Sequence, residues 1–136
     1  MAFQSSSDQN LLRFLKAQES TYDTTLSEIT RGKKQSHWMW FIFPQIQGLG
    51  FSETSKLYAL KDLREAEAYM TNRLLGNRLV TICEALMQNK NNDACSIFSS
   101  PDDMKLLSFM TLFSSAKNAH PVFTEVCRDV FWRCKR

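Results

Sequence analysis

The stretch that decides the fold is Asn72-Arg73-Leu74-Leu75-Gly76-Asn77-Arg78-Leu79-Val80-Thr81-Ile82-Cys83-Glu84-Ala85-Leu86. Within it, Leu75, Leu79, Ile82, Cys83 and Leu86 advance by four, three, one and three positions. That is the spacing of one apolar face on a helix of 3.6 residues per turn. Asn72 stands where a capping side chain belongs. Gly76 lies inside the run, where glycine costs about 1 kcal/mol against alanine. Its presence there predicts a close approach by another segment or by a ligand.

The same grammar repeats on both sides. Asp8 precedes Leu11, Leu12, Phe14 and Leu15 at helical spacing, and Thr25-x-x-Glu28 has the form of a capping box ahead of Ile29. Gly32 reads as the left-handed residue that ends that helix. Ser52 and Asp62-x-x-Glu65 announce two more helices, and Ser100-Pro101-Asp102-Asp103 joins a cap, an N1 proline and first-turn acids. Met104, Leu107, Met110 and Phe113 are expected on its inner face. Pro121 opens a last helix with Val122, Phe123, Val126, Cys127 and Val130 turned inward. Ser36–Gln45 (SHWMWFIFPQ) is apolar without a period up to Pro44, which leaves a buried helix and a buried strand both open. Gly48 and Gly50 mark a turn, and residues 89–93 a polar loop. The expectation is an all-α fold: a compact single-domain bundle of about six or seven helices over residues 8–136, after a disordered N-terminus at 1–7.

Composition agrees and excludes several classes. The chain has 136 residues, 43% of them hydrophobic and only four glycines and three prolines, which rules out a disordered or collagen-like chain. Seventeen cations against 14 acids give +3, too thin a charge to read nucleic-acid binding from. The N-terminus lacks the basic and apolar regions of a signal peptide, and no run approaches the roughly 20 apolar residues that span a bilayer. Cysteines at 83, 95, 127 and 134 form no CxxC, and there are two histidines. No metal or cofactor is expected, and the thiols read as reduced, mostly buried groups of a cytoplasmic protein.

No nucleophile elbow, phosphate loop, dinucleotide fingerprint or zinc-protease motif occurs. Three local features could carry chemistry. In the first, Arg31, Lys33 and Lys34 adjoin Gly32 and Ser36, a set able to hold phosphate through cations and backbone N–H groups. His37, Trp38 and Trp40 follow at once and could stack a base or sugar. The second is Gln45, whose amide both donates and accepts, next to Pro44 and the glycine turn. The third is Asp102, Asp103 and Lys105, with Asp103 the candidate acid/base and Lys105 its charge partner. Each also has a plain structural reading: a solvated cationic face, a core aromatic segment, a turn, and a helix start.

The strings that carry these features resemble the family called domain of unknown function 1810. The resemblance lies in GKKQSHWMWFIFPQIQGLGFS (32–52), RFLKAQ (13–18), LYAL (57–60), REAEAYM (64–70), LLGNRL (74–79) and PDDMKLLSFMTLF (101–113). It implies a compact all-α domain and a helix at 36–43. It also implies a glycine before the PDD string, where this chain has Ser99-Ser100, and a Gly-Asp-Thr-Leu type tail after the last helix, where Trp132–Arg136 stands instead. If that tail closes a pocket, this chain is expected to have an altered or open one. A weaker likeness, at Tyr58-Ala59 and Leu75–Leu79, is to helical proteins that bind or hydrolyse ADP-ribose derivatives.

The functional expectation is binding, extending to N-glycosidic hydrolysis, of a phosphorylated nucleotide-like or ADP-ribose-like small molecule. Asp103 and His37 would be catalytic; Arg31, Lys33, Lys34, Trp38, Trp40, Gln45 and Lys105 would bind ligand. The alternative is a non-catalytic module that binds a protein partner. Nucleic acid ranks last as a partner, and no membrane is expected.

Overall fold

A computed structural model describes residues 6–48, 52–89, 94–99, 102–117 and 119–131. Among them are nine α-helices: α1 Ser6–Glu19, α2 Tyr22–Arg31, α3 Met39–Ile42, α4 Glu53–Leu57, α5 Leu63–Thr71, α6 Arg73–Gln88, α7 Ala94–Phe98, α8 Asp102–Ser114 and α9 Pro121–Val126. A π-helical turn, Cys127–Phe131, continues α9. The class is all-α, and the count exceeds six or seven because α3, α4 and α7 are single-turn pieces. Among the described residues the extended backbone reduces to one parallel bridge, Ile46 to Leu60.

Local chemistry sets most helix ends. The side chains of Ser52, Asp62 and Asn72 accept backbone N–H groups at the starts of α4, α5 and α6. Gly32 ends α2 at φ 82°, the left-handed conformation that glycine adopts without strain. The close approach expected at Gly76 is present: a Cβ there would lie 2.1 Å from the Met70 carbonyl oxygen. Only a glycine lets the end of α5 rest on α6. The side chain of Asp8 and residues Ser100, Pro101 and Gly50 lie outside what is described.

Three expectations need correction. Thr25 does not start a helix; α2 begins at Tyr22, and the Thr25 hydroxyl donates to Thr21 O at 3.0 Å inside it. The helix implied for residues 36–43 shrinks to the four residues of α3, because Trp38 turns its indole to Glu28 and Pro44 cannot extend the other end. On α8 the inward face is Leu106, Phe109, Met110 and Phe113, while Met104 is 58% exposed.

One hydrophobic cluster joins all of this. Helix α6 packs on α2, α5 and α9, and α8 packs on α7 and α9. A chain of rings threads it: Trp38 to Phe43 (6.2 Å), Phe43 to Phe109 (5.1 Å), Phe109 to Phe113 (4.1 Å) and Phe113 to Phe123 (5.9 Å). Edge-on and offset pairs of this kind add to their burial. They also fix the 38–43 segment against α8. The other side of α3 rests on buried Gln18, whose amide donates to Phe41 O and meets the Tyr69 hydroxyl, each at 2.8 Å. A four-residue helix leaves its carbonyls without helical partners, and Gln18 supplies one.

Candidate functional site

The loop after Gly32 is built on one buried carboxylate. Glu28 is 2% exposed. It accepts from the backbone of Gln35 (2.7 Å) and Ser36 (3.0 Å), the Ser36 hydroxyl (2.5 Å) and the Trp38 indole (2.9 Å). Burial alone would raise its pKa; the donors outweigh burial and hold it at about 2. The Lys34 N–H then donates to Ile97 O at 2.8 Å, which fastens the loop to α7. Sequence reasoning assigned Glu28 to a capping box. The available signal was an acid one turn before Gly32, followed by a serine and a tryptophan able to reach back to it.

This loop brings the first and third sequence features together. The Lys34 ammonium lies 3.0 Å from Asp102 at the start of α8, and Lys105 lies 3.5 Å from the same carboxylate. Lys34 is 11% exposed and Lys105 34%. The Lys105 ammonium also stands over the Trp40 ring, 5.9 Å from its centre, and Lys34 stands 5.2 Å from the Trp38 ring. The exposed His37 ring runs nearly parallel to Trp40, at 25° with centroids 6.4 Å apart. Gln45 joins the group from below: its amide donates to Lys105 O at 2.7 Å, so it positions the first turn of α8.

The remaining predicted residues stand elsewhere. Arg31 and Lys33 are exposed at the end of α2. Trp38 is a buried core residue whose indole N–H is engaged by Glu28. Asp103 is buried, and its carboxylate accepts the Met104 N–H at 2.8 Å. Its neighbour Asp102, one position earlier, is the acid that meets the cations. Among the described residues no three His, Cys, Asp or Glu side chains gather as a metal would need, and no helix is long and apolar enough to cross a membrane.

The thiol expectation holds in part. Cys83 and Cys127 are free, whereas Cys95, exposed on α7, is in a disulfide. Disulfides are rare in reducing compartments, so the cysteines do not favour the cytoplasm.

Comparison with known proteins agrees with the sequence resemblance. The family described as "Protein of unknown function (DUF1810)" matches residues 8–135. A conserved hypothetical protein of Mycobacterium tuberculosis, Rv1873, known from a crystal structure, superposes with a TM-score of 0.86 at 40% identity, covering 89% of this chain and 86% of that one. No curated protein matches. The chain belongs to the DUF1810 family.

Proposed function

We propose that the protein binds a phosphorylated, ring-bearing small molecule of the nucleotide or ADP-ribose type on the face formed by Trp40, His37, Lys105 and Lys34. The observation that supports this most is the sharing of one carboxylate, Asp102, by two ammonium groups that start 71 positions apart in the chain, Lys34 and Lys105. Two cations against one acid leave a positive charge in excess. They do so next to Trp40, a partly exposed ring on which a base can stack, an interaction worth about 1–3 kcal/mol per base. The backbone at Lys34 is held by its bond to α7 and the backbone at Lys105 by Gln45, so little main-chain ordering is left for a ligand to impose. In this reading Arg31 and Lys33 steer the anion from outside. Hydrolysis of an N-glycosidic bond, with water adding to the sugar carbon, would need Asp103 to leave its bond to the Met104 N–H and act as acid/base, with His37 at the exposed face.

The test is a thermal-shift series at fixed salt with ADP-ribose, AMP, adenosine and ribose 5-phosphate, run on the natural protein, Trp40→Ala and Lys105→Gln. A ligand at 100 times its Kd should add about 2.7 kcal/mol of stability. The reading requires a shift with a ligand carrying both ring and phosphate, reduced in both variants. A flat series overturns it. Turnover by the natural protein that survives Asp103→Asn with His37→Ala would remove the catalytic assignment and leave the binding one.

A further inference from the structure

On the far side of α6 lies a cleft of about 210 Å³ that none of the preceding chemistry uses. We infer that it binds a small molecule with an apolar body, the size of one ring, and a single carboxylate. Its floor is Met70, Val80 and Phe123, from α5, α6 and α9. Its rim carries Asn77, Lys117 and His120. An apolar floor with a few converging polar groups is the usual make-up of a ligand site. The volume, about seven waters' worth at roughly 30 Å³ each, is below what a drug-sized molecule needs and suits a single ring.

Gly76 stands in the wall of the cleft. Any side chain at that position would collide with the Met70 carbonyl, so the glycine lets α5 and α6 meet closely at the cleft's wall, and Met70 and Gly76 both line it. Two of the rim residues are anchored by contacts of their own, Lys117 through its backbone and His120 through its ring. The Lys117 N–H donates to Glu67 at 2.9 Å, which ties the α8–α9 turn to α5. His120 caps α9: its Nδ1 accepts the Val122 N–H at 3.0 Å. The ring proton of the neutral imidazole therefore sits on Nε2, leaving that nitrogen a donor. His120 and Lys117 both line the cleft, so a ring N–H donor and an ammonium are available there to the two oxygens of a carboxylate. Glu67, whose carboxylate accepts the Lys117 backbone N–H, sets one negative charge beside a rim residue, which penalises a dianion more than a monoanion. That favours a monoanion over a phosphate dianion.

The probe is benzoate, titrated into protein labelled with 13C at the methionine methyls, with the Met70 signal assigned through Met70→Leu. Benzamide and inorganic phosphate are the comparison ligands. The site predicts a saturable shift of the Met70 methyl with benzoate. Benzamide should bind at least tenfold more weakly, because the charge-assisted bonds are lost. Phosphate should bind more weakly still, lacking the apolar body. Lys117→Gln should weaken benzoate about tenfold. His120→Asn, which keeps an acceptor for the cap but removes the Nε2 donor, should weaken it several-fold. Lys56→Gln, on α4, should change nothing. No saturable shift with benzoate, equal binding of benzamide or phosphate, or full affinity in Lys117→Gln would each overturn the assignment.

Discussion

The carboxylate of Glu28 accepts the indole N–H of Trp38 at 2.9 Å, and through that bond the end of α2 orients the aromatic segment that follows it. Trp38 in turn packs edge-on against Phe98 of α7 and meets Phe43. One acid thus links the loop bearing Lys34 to the core beneath the candidate site.

That link has a pH signature. Glu28 is held at about 2 against an ordinary 4.5. A carboxylate whose folded-state pKa lies below its unfolded one stabilises the fold fully above the unfolded value. The stabilisation is then lost as pH falls from about 4.5 towards 2 and amounts to about 3 kcal/mol. Urea unfolding between pH 7 and pH 2.5 should show this slope. In Glu28→Gln it should flatten, while stability at pH 7 drops by about 1–3 kcal/mol, because the donors that faced a charge now face an amide. An unchanged slope in the variant would contradict the role given to Glu28.

A second expectation concerns Ser99, the position where the family resemblance implies a glycine. Its φ is +63°, the left-handed region, and it stands between α7 and α8: its N–H donates to Cys95 O and its carbonyl accepts the Asp103 N–H. A side chain in that conformation costs roughly 1–2 kcal/mol. The greater freedom of glycine in the unfolded chain offsets up to about 1 kcal/mol of that. Ser99→Gly should therefore raise stability by about 0.5–1 kcal/mol, a gain of about 2–3 °C in Tm for a chain of this length. A loss of stability would show that the serine side chain makes a contact of its own worth keeping.

Gly76→Ala should do the opposite of what helix propensity says. Alanine gains about 1 kcal/mol in an open helix. Here its Cβ would meet backbone, the Met70 carbonyl, at 2.1 Å, so the two helices must separate. Overpacking of this kind costs about 1–3 kcal/mol or more. The net effect expected in urea unfolding is a loss of about 2 kcal/mol, and a gain would mean that α5 can shift freely on α6.

The two free thiols should differ in reactivity. Burial pushes the Cys83 thiol far up, and Glu84 and Cys127 add to the effect. Cys127 is only partly buried; burial raises it too, while the Thr111 hydroxyl bond works against the rise. Thiolate is the reacting species. With iodoacetamide at pH 8, peptide mass mapping should find Cys127 modified slowly and Cys83 modified only after urea is added. Equal rates in the folded protein would contradict this burial.

These cases also separate what was legible in the sequence from what was not. The caps at Ser52, Asp62 and Asn72, the end at Gly32 and the approach at Gly76 could be read because each depends on a neighbour within a few positions or on glycine itself. Glu28 is harder to read: its pattern with Thr25 matches a capping box, and the serine and tryptophan that point back to it lie at 36 and 38, in an irregular loop whose course no local period gives. The phase of α8 is not legible because DDMKLLSFMTLFS is apolar on most sides, so Met104 and Leu106 look equally fit for the core. In the candidate site, the residue types were visible, yet which acid meets the lysines depends on how α8 is seated. That seating comes from the Phe43, Phe109 and Phe113 packing, which no local pattern encodes.

The sharpest test of the binding face is the acid that occupies it. Asp102 holds Lys34 at 3.0 Å and Lys105 at 3.5 Å, so any phosphate that reaches these ammonium groups competes with its carboxylate. Asp102→Asn removes the competitor and leaves both cations. The structural cost should be small: a first-turn acid contributes about 0.3–1 kcal/mol to its helix, and partly exposed ion pairs of this kind contribute up to about 1 kcal/mol. If Lys34 and Lys105 form the phosphate subsite, the variant should bind ADP-ribose or AMP about tenfold more tightly, with a steeper fall in affinity as salt is raised. Adenosine, which has no phosphate, should be indifferent to the change. Calorimetric titration at two salt concentrations reads both effects. Unchanged or weaker nucleotide binding in a folded Asp102→Asn protein would place the phosphate away from these lysines, even if a ring still stacks on Trp40.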